Sequence, residues 1–147
     1  MSWRAALLTM LLAVTAVAAE SAEAEAPGFK IVVNAANPGN AAKRQTVADL
    51  FLKKATRWTD GAMAAPVDQS LTSKLRSSFS EQVLQQPPAA VHNYWQRQIF
   101  SGREQPPPVK ASDQEVLTYV QARAGGIGYV SDSATLPSGV KELKLVD

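Results

Sequence analysis

Turn-forming residues divide this chain into short segments, and that division limits what it can fold into. They cluster at residues 37–40, 60–61, 87–88, 101–102 and 106–108. Neither a long helix nor a long interior strand crosses such positions, because Pro lacks a backbone N–H and fixes φ while Gly leaves the backbone unrestrained. Each remaining segment has room for one helix or a few short strands, which favours a small fold of mixed composition.

Four segments have the pattern of β-strands, namely residues 29–34, 63–67, 127–130 and 140–146. The first reads Phe-Lys-Ile-Val-Val-Asn and has the clearest β-branched run. Pro66 weakens the second, because Pro cannot donate to a strand ladder.

Four further segments have apolar residues at helical spacing. These residues are Val47, Leu50 and Phe51; Leu75, Phe79 and Val83; Val91, Trp95 and Ile99; and Val116, Tyr119 and Val120. Thr46 with Asp49 predicts the start of the first helix, Pro88 starts the third, and Ser112 with Glu115 forms a capping box for the fourth. Strands interspersed with helices indicate an α/β class.

Residues 1–19 have the composition of a secretory signal peptide. Arg4 precedes an uncharged apolar run that ends in the small residues Ala18 and Ala19. The alternative, a membrane anchor, needs about 20 apolar residues, and this run is shorter and rich in alanine. We therefore predict cleavage near Ala19, a flexible acidic lead-in at residues 20–28, and one domain at residues 29–147. We expect that domain in the periplasm, with no membrane span after cleavage.

Residue types that many enzymes need are scarce in this sequence. Of its 147 residues none is Cys and 1 is His, which excludes disulfides, thiolate metal sites and cysteine nucleophiles. A zinc site or a histidine-based triad is not expected from His92 alone, and neither G-x-S-x-G nor H-E-x-x-H occurs. We predict that the protein is not an enzyme and needs no cofactor or metal. A hydrolase that depends on His92 is the weakest alternative.

The charge distribution does not predict a nucleic-acid partner. The formal net charge is +2, and loss of Arg4 with the signal peptide would bring the chain closer to neutrality. Basic residues occur beside each other only in short groups such as Lys43-Arg44 and Lys53-Lys54, without interleaved aromatic residues.

A glycine-rich run at residues 125–128 resembles a phosphate loop in composition but not in context. A phosphate loop follows a strand and opens a helix, whereas this run leaves a predicted helix and enters a predicted strand. We interpret it as a helix C-cap with close backbone packing.

Residues 68–76 have the features of an oxyanion site. The segment leads from a short strand into a helix and places the hydroxyl groups of Ser70, Thr72 and Ser73 near the helix N-terminus. Free backbone N–H groups and the positive end of the helix dipole favour an anion there, and Lys74 or Arg76 can supply charge. Plain N-capping by the same hydroxyl residues is the alternative.

Several strings in order resemble the periplasmic phosphate-binding proteins of ABC importers, especially short exported relatives of that family. The strings are Ile31–Asn34 with Asn37-Pro38, Asp49–Lys53, Arg57–Gly61, Pro66-Val67, Phe79, Tyr94-Trp95, Phe100–Gly102 and Gly126–Val130. With Phe79 aligned, Ser73 matches the serine of the family's anion-binding motif. Gln69 stands where the family has an arginine, and Thr72, Lys74 and Leu75 replace neighbouring motif residues.

The resemblance implies a single lobe of a type II periplasmic-binding-protein-like fold, with a central mixed sheet flanked by helices. It also implies phosphate or a similar oxyanion as ligand and a role in ABC-type phosphate transport or sensing. An ABC permease or a homodimer partner is then expected to bind the lobe, and either a second copy or another protein would complete the site. The alternative is a periplasmic protein-interaction module that keeps the fold and binds no small ligand.

Overall fold

The computed structural model describes residues 27–147. The predicted signal peptide at residues 1–19, and all but two residues of the lead-in, lie outside the described residues. The strands are β1 (Phe29–Asn34), β2 (Ala41–Lys43), β3 (Ala65–Pro66), β4 (Asp68–Gln69), β5 (Val109–Lys110), β6 (Gly126–Ser131) and β7 (Val140–Val146). The helices are α1 (Arg44–Phe51), α2 (Lys74–Phe79), α3 (Pro88–Phe100) and α4 (Asp113–Gln121), and a π-helical segment, Ser80–Leu84, continues α2.

A mixed five-stranded sheet lies at the centre, in the order β2-β7-β1-β6-β3. Strand β1 is antiparallel to both of its neighbours, whereas β2 and β3 join the two edges in parallel. The short strands β4 and β5 form a separate parallel pair. The expected α/β class with a central mixed sheet is therefore confirmed.

Helices cover both faces of this sheet, which explains the continuous apolar run of β1. Ile31 and Val33 belong to a core that also contains buried residues of α1, α2 and α3. Val32 points to the other face, where it packs in a second core with Val116 and Val120 of α4. Alternate residues of one strand thus contribute to two hydrophobic cores.

Two helix starts test the capping predictions. Helix α1 begins at Arg44 after Lys43, which makes no side-chain cap, so the predicted start at Thr46 is wrong. Helix α4 follows Ser112 as predicted, and the Ser112 hydroxyl accepts a hydrogen bond from the Glu115 N–H at 3.2 Å.

Most of the predicted apolar helix positions are buried. Helix α3 is an exception at its end: Val91 and Trp95 are buried, but Ile99 is 43% exposed. Its predicted place in the core is wrong because the last turn of α3 extends beyond the core.

Gly125, which precedes β6, and Gly128, which lies within it, allow close packing, as predicted. A Cβ atom on Gly125 would overlap the Met63 carbonyl, and one on Gly128 would lie 2.7 Å from a methyl group of Val116. The predicted C-cap role is wrong, because α4 ends at Gln121 with Ala122 as its C-cap.

None of the helices within residues 27–147 is long and apolar enough to cross a membrane.

Candidate functional site

The predicted oxyanion segment lies where β4 ends and α2 begins. Strand β3 pairs with β6 and Val67 is buried, so the chain reaches Asp68 and Gln69 inside the protein. After Gln69 it emerges at the surface, where Thr72 is exposed, and Ser73 then becomes the N-cap of α2. The sheet therefore holds the buried end of the segment, while its hydroxyl residues lie at or near the surface.

Ser70 and Thr72 lie together, as the sequence predicted. Their hydroxyl oxygens are 3.1 Å apart, and either can donate to the other. Because one proton suffices for that bond, the pair keeps one hydroxyl proton for another acceptor.

Ser73 is linked to the protein interior through Gln69. The Gln69 side-chain N–H groups donate to the Asp113 carboxylate at 3.1 Å and to the Tyr129 carbonyl at 2.9 Å. Both partners are only acceptors, so the amide orientation is fixed and the Gln69 oxygen faces Ser73. The Ser73 hydroxyl donates to that oxygen at 3.1 Å and accepts from the Arg76 N–H at 3.4 Å. Its single proton is therefore committed inside the protein.

Arg76 is buried and its charge faces inward. Its Nε donates to the Asp68 carboxylate at 3.4 Å, and the two side chains are only 9% and 12% exposed. Among buried side-chain N and O atoms of the described residues, Arg76 Nη1 is the one with no hydrogen-bond partner. The ion pair thus leaves the buried Nη1 amino group of the guanidinium without an acceptor.

Tyr129 of β6 completes this buried cluster. Its hydroxyl donates to Asp68 Oδ1, which also accepts from the Gln69 N–H at 2.8 Å. Burial raises the pKa of the Tyr129 hydroxyl, and the negative charge of Asp68 raises it further. The hydroxyl therefore remains a hydrogen-bond donor well into the alkaline range.

Lys74, the remaining predicted residue, begins α2 and is exposed. The structure thus places all five predicted residues in one loop and helix turn. Arg76 is the one whose charged group turns toward Asp68 and away from the surface.

Three residues that the sequence analysis did not assign to the site are Asp68, Asp113 and Tyr129. Tyr129 lies 61 positions from Asp68, and Asp113 lies 44 positions from Gln69. No local pattern links such positions. The pairing of β3 with β6 brings Asp68 to Tyr129, and Asp113 reaches Gln69 from the first turn of α4. The signal for Asp68 in the sequence is an acidic residue directly after a short apolar strand.

Within residues 27–147, no three His, Cys, Asp or Glu side chains are grouped so that they could hold a metal ion.

No family model and no curated protein matches the sequence. Solved structures are similar in fold. One is a Clostridium perfringens protein, described as a phosphate ABC transporter substrate-binding protein and solved with bound phosphate. It has a TM-score of 0.64 and is 20% identical in sequence, and the match covers 81% of this chain and 45% of that protein. An ABC-type phosphate transport receptor from Vibrio cholerae has a TM-score of 0.63 at 21% identity, over 81% and 46%. PstS from Borrelia burgdorferi has a TM-score of 0.62 at 12% identity, over 81% and 47%.

The chain spans about half the length of these structures. The fold implied by the resemblance, one lobe of such a protein, is therefore confirmed.

Proposed function

Because the chain folds as one lobe of the phosphate-binding proteins does, we propose that it binds phosphate or a similar oxyanion in ABC-type phosphate transport or sensing. The ligand site comprises Ser70, Thr72, Ser73, Lys74 and Arg76. The fold likeness supports the ligand class, and the unsatisfied Arg76 Nη1 atom supports the location.

The Arg76 guanidinium is the observation that carries this proposal. A buried N–H group without an acceptor is costly, by about 1–3 kcal/mol, and such groups are rare in folded proteins. Asp68 accepts from Nε and leaves Nη1 without a partner. An anion oxygen at Nη1 would satisfy it with a charge-assisted hydrogen bond. Since Nη1 is buried, the residues that cover it have to shift when the anion enters.

The neighbouring groups have distinct roles in this proposal. Ser70 and Thr72 share one hydroxyl proton that is free to bind an anion oxygen. Lys74 adds positive charge at the exposed side. Ser73 offers a lone pair instead of a proton, because its proton is committed to Gln69, so it suits a ligand that itself carries a hydroxyl group, as phosphate does at neutral pH.

The sequence supports a proposal for how the chain is processed and where the domain works. We propose that residues 1–19 are removed on export, that residues 20–28 are a lead-in, and that the domain at residues 29–147 works in the periplasm without catalysing a reaction. Since the chain has half the length of the similar structures, a permease or a second copy would supply the second wall of the site.

Calorimetric titration of the exported chain with phosphate and with sulfate, at low ionic strength, tests this function. We expect saturable phosphate binding that is weakened at least tenfold by Arg76→Lys, which keeps the charge but lacks the Nη1 donor. Thr72→Ala should weaken it less. Ser77→Ala on α2 and Arg97→Gln on α3 are matched controls that should bind as the wild type does.

Absence of binding heat with both anions, in a chain whose circular dichroism shows it to be folded, would contradict the proposal. The protein-interaction module that keeps the fold without a ligand would then be the better interpretation. Equal loss of binding in Arg97→Gln and Arg76→Lys would show that binding is nonspecific.

A further inference from the structure

Gln69 is a buried polar side chain that controls where the Ser73 proton points. It is only 4% exposed, although its amide has two N–H groups and an oxygen that all need hydrogen-bond partners. The Asp113 carboxylate on α4 and the Tyr129 carbonyl on β6 accept from the two N–H groups, at 3.1 and 2.9 Å. Turning the amide over would place its oxygen against these two acceptors. The orientation of the amide is therefore fixed from two distant elements of the fold.

The Gln69 oxygen depends in turn on Ser73. Within residues 27–147, the Ser73 hydroxyl is the one donor to this oxygen, at 3.1 Å. If Ser73 turned its proton toward a ligand, a buried acceptor would be left without a donor. Such a loss would weaken ligand binding by about fivefold or more. Ser73 therefore keeps its proton on Gln69 when a ligand binds.

A lone pair is what Ser73 can then offer to a ligand. A serine oxygen has two lone pairs, and one of them accepts from the Arg76 N–H at 3.4 Å. Ser73 is partly exposed, so a bound anion can reach the second lone pair. An anion that keeps a proton donates it to this lone pair in a hydrogen bond. A fully ionised anion has no proton to donate, and its oxygen and the Ser73 oxygen repel each other.

Given the oxyanion binding proposed above, on which this role rests, we propose that Gln69 is a positioning residue that makes the site selective for oxyanions carrying a proton. Phosphate and arsenate carry at least one proton at pH 7, whereas sulfate and selenate carry none. Gln69 acts through the Ser73 hydroxyl and itself contacts no ligand. The selectivity therefore depends on an amide that Asp113 and Tyr129 hold in place.

Calorimetric titration of the exported chain at pH 7 with phosphate, arsenate, sulfate and selenate tests this role. We expect the wild type to bind the two protonated anions about fivefold more tightly, or better, than the two ionised ones. Gln69→Met removes the amide and keeps the length of the side chain, which frees the Ser73 proton to turn toward the ligand. Sulfate and selenate should then bind more tightly, and most of the preference should disappear. Gln96→Met, the same change at an exposed position of α3, is the matched control and should keep the wild-type preference.

Ser73→Ala tests the same contact from the other side, and it keeps the experiment decisive if circular dichroism shows that Gln69→Met does not fold. Removing the Ser73 oxygen should weaken phosphate and arsenate binding more than sulfate and selenate binding. Structural damage alone would weaken all four anions alike, so the ratio of the dissociation constants is the readout.

The outcomes separate this role from the proposed function. A wild type that binds none of the four anions would overturn the proposed function and the role of Gln69 with it. A wild type that binds all four without preferring the protonated anions would overturn the role of Gln69 alone. The same holds if either folded variant, Gln69→Met or Ser73→Ala, keeps the wild-type ratio.

Discussion

Replacing Tyr129 by Phe removes one oxygen atom from the buried cluster beside the candidate site. The Tyr129 ring is stacked on Phe79, with ring centroids 4.0 Å apart and planes at 6°. Because Phe keeps that ring, the substitution preserves the packing and tests the hydroxyl alone. In the wild type this hydroxyl donates to the Asp68 carboxylate and accepts from the Gln69 N–H at 3.3 Å.

The expected loss of unfolding free energy follows from the hydrogen bonds that Asp68 and Gln69 keep in the variant. A hydrogen bond to a charged group contributes about 1.5–3 kcal/mol to the free energy of unfolding, and a neutral one about 0.5–1.5 kcal/mol. The Gln69 N–H retains its bond to Asp68, so only the carboxylate loses a donor. We therefore expect Tyr129→Phe to cost about 1.5–3 kcal/mol. Tyr94→Phe is the matched control, because the Tyr94 hydroxyl donates to the neutral Leu52 carbonyl at 2.6 Å and should cost about 0.5–1.5 kcal/mol.

Urea unfolding at several pH values is the assay. The pKa of Tyr129 is raised in the folded protein by burial and by Asp68, whereas in the unfolded chain it has its ordinary value near 10. Below pH 10 both states keep the proton, so the difference between wild type and Tyr129→Phe stays constant. Above pH 10 the unfolded chain loses the proton and the folded protein keeps it. The wild type then loses up to about 1.4 kcal/mol per pH unit relative to the variant.

Two results would refute this reasoning. One is a cost of Tyr129→Phe no greater than that of Tyr94→Phe at pH 7. The other is a difference between wild type and Tyr129→Phe that does not change between pH 8 and pH 11.

Further substitutions test the fold. Gly128→Ala should destabilise the protein by about 1–3 kcal/mol in urea unfolding, because its Cβ would press on two buried valine methyl groups. Gly139→Ala should cost less, because its Cβ would meet the side chain of Gln121, which is exposed and can shift into solvent. Equal effects would contradict the packing argument. Ser112→Ala should lower the free energy of unfolding by about 1 kcal/mol, because it removes the N-cap of α4. A loss no larger than that caused by Ser77→Ala would contradict this capping role. The intact mass of the exported protein should correspond to cleavage after Ala19, and an uncleaved mass would exclude the predicted signal peptide.

Where a pattern reflects burial along one element, the sequence predicted the structure well. The β-branched run of β1 is buried on both faces, and its bounds at Phe29 and Asn34 are as predicted. Pro88 and Ser112 start their helices because Pro and Ser fit those positions whatever packs nearby. The start of α1 was missed because it follows directly from β2, with Lys43 as a cap that forms no side-chain bond.

The candidate site was predictable only in part. The hydroxyl residues Ser70, Thr72 and Ser73 could be found from the sequence, because they lie within four consecutive residues. The acceptor of the Ser73 hydroxyl proton could not be predicted in this way. That acceptor is Gln69, whose amide is oriented by Asp113 of a distant helix. Oxyanion binding and the signal peptide remain predictions for the experiments above.

The position of β1 has a consequence for the order in which the core can assemble during synthesis. Ile31 pairs with Tyr129 on one side and with Leu143 on the other, so the central strand is made early and both of its partners late. Such distant pairings slow folding, because a long stretch of chain has to close before the contact forms. A ribosome therefore releases the apolar segment of β1 well before its neighbours exist. If the predicted signal peptide directs export, this late pairing would help to leave the polypeptide unfolded while it is threaded across a membrane.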